Sequence, residues 1–588
     1  MISPSRIIKA LLISFTLAAT AYGVSKLNMF GLEGLSDRVA DGVFQRITAA
    51  DYGKARKGQQ AVSVVYLDEE GVDNLKGFGW TRFPPSFDQQ WTMFDDILQA
   101  GGGPPAGVFA DFVYLGQGGA NEGFNIFRDG VAAATKAEAW SNKPACTADP
   151  LMKIACMVAA GGTPMIFARP AADDLPLFTD LQKSLAEVSI LAPALVRQEA
   201  YPTITRYDMP PAQAKALGVH GFDISPALAM YVAYCLRHDG CGVAALRQLR
   251  EAGRQALAGK PATSPDIAKV FDFPVDVVWG SRPDPDYLRI TKAVSGHPAA
   301  CRGKASGLLG RFWEQFQSAR GPGSGARQEC PYTLSLGYDR MVAGVGLAQE
   351  DLERLLAGKM VMVGGHFRAS NDWVESPVHG QAPGVQFHAM ALDNLIESGP
   401  NYRRNTDYSG TFFDSDLLKS TLIFGLAFFG IVGVMVRNSL HDRAVEMNLP
   451  PRLRSRVYGP LYLSLFVACV GVIALATVMG VEFGRRAPIN WIGIGFVSLG
   501  FLCYAVRETL PADICGSLEE LPLARKLLRL LGQCKGYLKF EEERLLPPKP
   551  VRPAPEPATD PAPVAASSSD PAPAAPAAPI KEPVHVQA

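Results

Sequence analysis

Residues 355–399 read LLAGKMVMVGGHFRASNDWVESPVHGQAPGVQFHAMALDNLIESG, and the rest of the chain is organised around this run. Met360 to Val363 is a short apolar stretch with two valines, the composition of a strand buried on both faces. Gly364 and Gly365 are expected to stop that strand, because glycine lets a backbone turn or approach a neighbour closely. A polar loop with Asn371, Asp372, Ser376 and Pro377 comes next, and Pro383-Gly384 makes a turn. Phe387, Met390, Ala391 and Leu395 then recur at helical spacing within Val385 to Ile396. Together these pieces form a βα unit, in which the loops after strand ends carry function.

Working outward, Ala61 to Leu67 (AVSVVYL) reads as another buried strand, ending in Asp68-Glu69-Glu70. A helical pattern over Phe87 to Leu98 and a strand over Gly107 to Phe112, containing Asp111, complete a parallel βαβ unit. Pro164 to Arg169 predicts a further strand and Pro226 to Arg237 a helix. Pro274 to Trp279 (PVDVVW) predicts another strand, before the turn Ser281-Arg282-Pro283. The resulting fold class is α/β, a mostly parallel sheet with flanking helices over residues 61–400, preceded by a linker over 25–60.

The flanks read as membrane segments. Arg6 and Lys9 precede the apolar run Ala10 to Val24, which is either an uncleaved anchor or a signal peptide cut after Ala19-Thr20-Ala21. Either reading exports the chain beyond residue 24. Leu417 to Val436, Tyr458 to Val481 and Pro488 to Val506 are mostly apolar and each about twenty residues long, enough to span a bilayer. Arg437, Arg443, Arg452, Arg454 and Arg456 crowd the first intervening loop, which places that loop and the C-terminus in the cytoplasm. In the segment 507–546, Leu518, Leu521, Leu528 and Leu531 recur at helical spacing, as in an interfacial or partner-binding helix. From Pro547 onward proline, alanine and serine dominate, the composition of a disordered tail. Formal net charge is zero, which gives no electrostatic footprint for nucleic acid.

Six of the ten cysteines fall in the exported part, an even number in an oxidising compartment. Nearest-neighbour pairing gives Cys146–Cys156, Cys235–Cys241 and Cys301–Cys330 disulfides. Metal binding is the competing use, but the sequence holds no C-x-x-C pair.

Within 355–399 the order of residues resembles the C-terminal signature of the CHASE type 2 family, an extracytoplasmic sensory domain of bacterial membrane receptors. The matching positions are Gly358, Lys359, Gly364, Asp372, Pro377, Pro383, Gly384, Val385, His388 and Ala389. The same family opens with a strand ending in aspartate, a W-P-x-x-R segment and a second strand bearing aspartate. Asp68, Trp80, Arg82 and Asp111 match, with Thr81 where the family has proline. The family's central D-x-D-G-x-x-R segment has only Thr205-Arg206 as its counterpart. The resemblance implies an inner-membrane receptor with a large periplasmic domain. Family members continue into a kinase, cyclase or similar output domain; no such motif occurs here, which implies a separate cytoplasmic output protein. A homodimer is compatible with this reading. A different class, an envelope scaffold whose exported domain binds another envelope protein, also fits the sequence.

Asp68, Asp111 and Asp372 fall at predicted strand ends or in the adjoining loop, where they could converge to bind a cation or polar ligand. The plainer alternative is that they cap helices and hold turns. No nucleophile motif accompanies them, so neither catalytic residues nor a cofactor is expected. Trp80 and Arg82 either line a pocket or pack beneath the first strand. His366, His379 and His388 have no zinc-site spacing, and His388 is expected to anchor the turn before its helix.

Overall fold

A computed structural model describes residues 41–80, 85–112, 122–169, 180–194, 201–206, 222–295, 331–342, 347–367 and 372–404, with scattered residues in 7–19 and 423–447 and residue 471. Its centre is a six-stranded sheet whose paired strands all run parallel. In chain order the strands are β1 (Val62–Asp68), β2 (Gly107–Ala110), β3 (Met165–Arg169) and β4 (Ile190–Pro193), then β7 (Leu334–Gly337) and β8 (Met360–His366). Between β4 and β7 the chain forms a small antiparallel pair, β5 (Ile204–Arg206) and β6 (Phe222–Ile224). Across the sheet the order is β4-β3-β2-β8-β1-β7, so the last strand in sequence sits between the first two.

The central strands are buried on both faces, which is why their sequences are continuous apolar runs rather than alternating ones. Val62, Val64, Val65, Val108, Phe109, Met165, Ile166, Phe167 and Met360 to Val363 are all buried. Helices α1 (Phe87–Gln99) and α2 (Glu122–Thr135) cover one face, where Phe94 and Phe127 set their rings 5.9 and 5.6 Å from Phe167. Beside them in the chain comes α3 (Pro150–Ala159). The opposite face carries α4 (Pro226–Arg237), against which α5 (Ala244–Leu257) packs, and α6 (Gly384–Ser398). The helix starts are written locally. Ser86 and Gln89 form a capping box for α1; Asp149 and Ser225 cap α3 and α4, each followed by proline in the first turn.

Among the described residues two disulfides staple the helical layer. Cys146 is bonded to Cys156 within α3, and Cys235 at the end of α4 is bonded to Cys241 in the next turn. Cys301 and Cys330 lie outside the described residues.

Four expectations are corrected. The glycines do not stop β8: the strand runs through Gly364 and Gly365 to His366, pairing with Tyr66, Leu67 and Asp68 of β1. Gly364 is needed for packing instead, because a Cβ there would come within 2.6 Å of the Val385 side chain on α6. The stretch after β8 is not simply a polar loop, since β9 (Trp373–Ser376) and β10 (Gly380–Pro383) form an antiparallel hairpin in it. Pro274 to Trp279 is not a strand; only Val275 pairs, in isolated bridges to Tyr201 and Arg404. Pro274 has no N–H to donate, and the flanking backbone goes to loops and side chains. The linker expected over 25–60 is structured from residue 41: residues 41–48 are helical, as is Lys57–Ala61.

The incoming and outgoing ends of the domain are tied together. Arg403 donates to Asp41 at 3.0 Å and to Asp276, which joins both ends to the segment 271–281. Burial raises Asp41 to about 6, with repulsion from Asp276 adding to the effect and Arg403 opposing it. Among the described residues no helix is long and apolar enough to cross a membrane. The expected spans over 458–481 and 488–506, and the segments 507–546 and 547–588, lie outside the described residues except for Gly471.

Candidate binding site at the carboxyl edge of the sheet

Chain leaving β2 enters α2 on one face, whereas chain leaving β8 reaches α6 on the other. Adjacent parallel strands whose connections part to opposite faces open the sheet at their carboxyl ends, the usual position for a ligand in such folds. Asp111 follows β2 directly, and its backbone N–H donates to Val363 of β8 at 2.7 Å. Asp372 stands beyond β8 at the exposed rim, its carbonyl accepting from the Gly384 N–H at 2.9 Å. A Cβ at Gly384 would overlap the Asp372 carboxyl, so the glycine lets that side chain lie against the start of α6.

Beneath them lies a buried polar chain. Tyr201 accepts from the Ala227 N–H at the start of α4, at 3.1 Å, and lies 2.7 Å from His388 Nδ1. The direction of the Tyr201–His388 hydrogen bond follows the histidine tautomer, Nδ1 accepting from the phenol when the ring proton is on Nε2. His388 Nε2 faces Asp111 Oδ2 at 3.8 Å, too far for a hydrogen bond. Burial lowers His388 to about 3 and pushes Tyr201 far up, so both stay neutral at ordinary pH. The rings of Phe109, Phe387 and Tyr201 wall in this chain, each centred 5.2–5.5 Å from its neighbour.

Asp111 is the anomaly. Its side chain is only 8 % exposed, and Oδ2 has no hydrogen-bond partner among the described residues. Burial drives its pKa well above the carboxylate range, and the Asp372 charge adds to the shift. Asp372, although at the rim, is surrounded by enough protein to be raised to about 6. Several other buried carboxylates are matched by a donor: Arg169 pairs with Asp223, Arg403 with Asp276 and Asp41, and Tyr52 donates to one oxygen of Asp393. Unpaired burial of an ionised carboxyl costs several kcal/mol, roughly, so such a group is kept neutral or matched by a ligand.

The other predicted site residues do not join this group. Asp68 accepts from the Gly71 N–H at 2.6 Å and caps the short helix Glu69–Asn74. Since β8 lies between β1 and β2, Asp68 is two strand spacings, about 10 Å, from the Asp111 register. Trp80 is buried with its ring 5.5 Å from Tyr338, in the core. Arg82 lies outside the described residues. His388 bonds Tyr201 rather than the turn before its helix, because its side chain points into the sheet layer. His366 packs between Tyr66 and Trp373, and His379 bonds the Gly280 carbonyl at 2.7 Å. No group of three His, Cys, Asp or Glu side chains among the described residues could hold a metal ion. Tyr201 had no sequence signal: an isolated tyrosine in an irregular stretch acquires its role only through contacts with residues far along the chain.

No protein-family model, no curated protein and no solved structure matches this chain.

Proposed function

We propose that this protein is a membrane receptor whose exported α/β domain senses a small polar ligand, and whose C-terminal membrane segments pass the signal to a separate cytoplasmic protein. The observation that carries the proposal is the buried, unpartnered carboxyl oxygen of Asp111 at the parting of β2 and β8. Asp393 also has one oxygen without a donor, but Tyr52 holds its other oxygen, whereas no side chain among the described residues donates to the Asp111 carboxyl, which leaves it for a ligand. Asp111, Asp372 and His388 all belong to the positions that resemble the CHASE type 2 family, whose role is sensory. The Arg403 clasp supports transmission, because it joins the chain entering from the N-terminal apolar run to the chain leaving for residue 417.

Thermal unfolding of the full-length chain in detergent, against a panel of small metabolites, tests the reading. A ligand present at a hundred times its dissociation constant adds about 2.7 kcal/mol to stability. At least one compound is expected to raise the unfolding temperature in the wild type and not in Asp111→Asn. No such compound in a broad panel, with an envelope protein co-purifying instead, would favour the scaffold.

A further inference from the structure

The geometry points to a ligand with a cationic nitrogen, an ammonium or guanidinium group, seated between Asp372 at the rim and Asp111 on the floor. This rests on the receptor reading above and names the chemistry of its ligand. The site offers a buried, unpartnered acceptor on Asp111, a second carboxyl on the exposed Asp372, and the aromatic rings of Phe109 and Tyr201 beside His388. Among the described residues the Asp372 charge adds to the upward shift of Asp111, and no Lys or Arg opposes it. An anionic ligand would meet two like charges there, and an apolar one would leave Asp111 buried without a partner. A cationic N–H donor removes both difficulties, forming charge-assisted hydrogen bonds to the carboxylates.

Among the described residues, the titratable groups facing the site are Asp111, Asp372, His388 and Tyr201. His388 and Tyr201 stay neutral, so proton changes fall on the two carboxyls. A bound cation favours their ionised forms, and complex formation therefore releases protons. Binding strengthens as pH rises through about 6, where Asp372 ionises.

The test uses the full-length chain in detergent. Its probes are methylammonium, putrescine and guanidinium, at concentrations below those that denature, with sodium chloride and sodium propionate at matched ionic strength. At least one amine is expected to raise the unfolding temperature above the sodium salts, more at pH 8 than at pH 5. Asp111→Asn is expected to fold and to be no less stable than the wild type, because it removes an unmatched buried acid without changing shape. It should weaken amine binding by more than about tenfold, the loss of one buried charged partner. Asp372→Asn should weaken it less and flatten the pH dependence. Amines with no more effect than sodium chloride would overturn the inference. So would an amine effect that survives both substitutions, or one reproduced by calcium or zinc alone with the same dependence on Asp111. If instead an anionic or neutral compound stabilises the wild type and Asp111→Asn abolishes its effect, the receptor reading stands and only the cationic class is wrong.

Discussion

Helix α6 has a buried carboxyl near each end, and the two are held differently. In its C-terminal half Asp393 accepts from Tyr52 at 2.5 Å, while Asn394 reaches Tyr52 and the carbonyls of Val278 and Met390. Gly58 presses so closely on Asp393 that no side chain fits between them. At the N-terminal end Asp111 has no donor and looks toward an exposed second acid. One carboxyl is locked into packing and keeps its proton, raised by burial to about 8. The other is left available. Burial alone does not mark a functional acid, and neither does one unpartnered oxygen, since Asp393 Oδ2 has no donor either; what separates the two is the Tyr52 bond and close packing at Asp393, against the neighbouring exposed acid at Asp111.

The sharpest way to break this contrast is at the locked end. Gly58→Ala would drive a Cβ into the Asp393 carboxyl and to 2.9 Å from its backbone oxygen, neither of which can retreat. A loss of roughly 3 kcal/mol is expected in chemical denaturation, at the upper end for overpacking. An unchanged midpoint would mean that this end is loosely packed.

The pH dependence of stability separates the two states of Asp393. Its folded pKa of about 8 lies above that of an unfolded aspartate, so the folded chain binds more protons between about 4 and 8. The contribution of this group is therefore fully present below about pH 4 and is lost as pH rises toward 8. Asp393→Asn should flatten that decline, and the difference between wild-type and variant melting temperatures should grow with pH. Parallel curves for the two proteins would show that Asp393 does not hold its proton.

At the open end, Tyr201→Phe strands His388 Nδ1 and the Ala227 N–H without partners. A cost of about 1–3 kcal/mol is expected from leaving buried polar groups unsatisfied. The smallest effect should come from Gly384→Ala. Its Cβ meets the Asp372 carboxyl, which is exposed and free to swing away. Stability should change by less than about 1 kcal/mol, while ligand-induced stabilisation, where present, should drop. If Gly384→Ala proved as damaging as Gly58→Ala, the two ends would be equally closed and the contrast would collapse.

Much of the fold is legible because parallel strands covered on both sides leave continuous apolar runs, as in Met360 to Val363 and Ala61 to Leu67. The hairpin of β9 and β10 left no such trace. Its strands WVES and GQAP are short and half-exposed, and Pro383 ends the second. The PVDVVW stretch misled for the converse reason, being apolar because it fills space beside α6 rather than because it pairs. Asp111, Asp372 and His388 were legible as a pattern of positions. Which of them meet was not, because that depends on β8 entering between β1 and β2. The same insertion parts Asp68 from Asp111, and no local signal carries it.

That insertion also bears on how the molecule is made. Val62 pairs with Met360, so roughly 300 residues must emerge before β8 can join β1 to β2, although β3 can pair with β2, and β7 with β1, before it arrives. Until then both strands present open edges, free to pair with each other in a register the finished sheet never uses. The two bonded cystine loops span sequence separations of only 10 and 6, so oxidation can proceed within local helical units without fixing the order of the strands. A fragment ending at residue 350 should accordingly form both disulfides, detectable by peptide mapping, yet show no cooperative unfolding. The domain is thus a late-closing structure, dependent on whatever shields a half-built sheet until its central strand arrives.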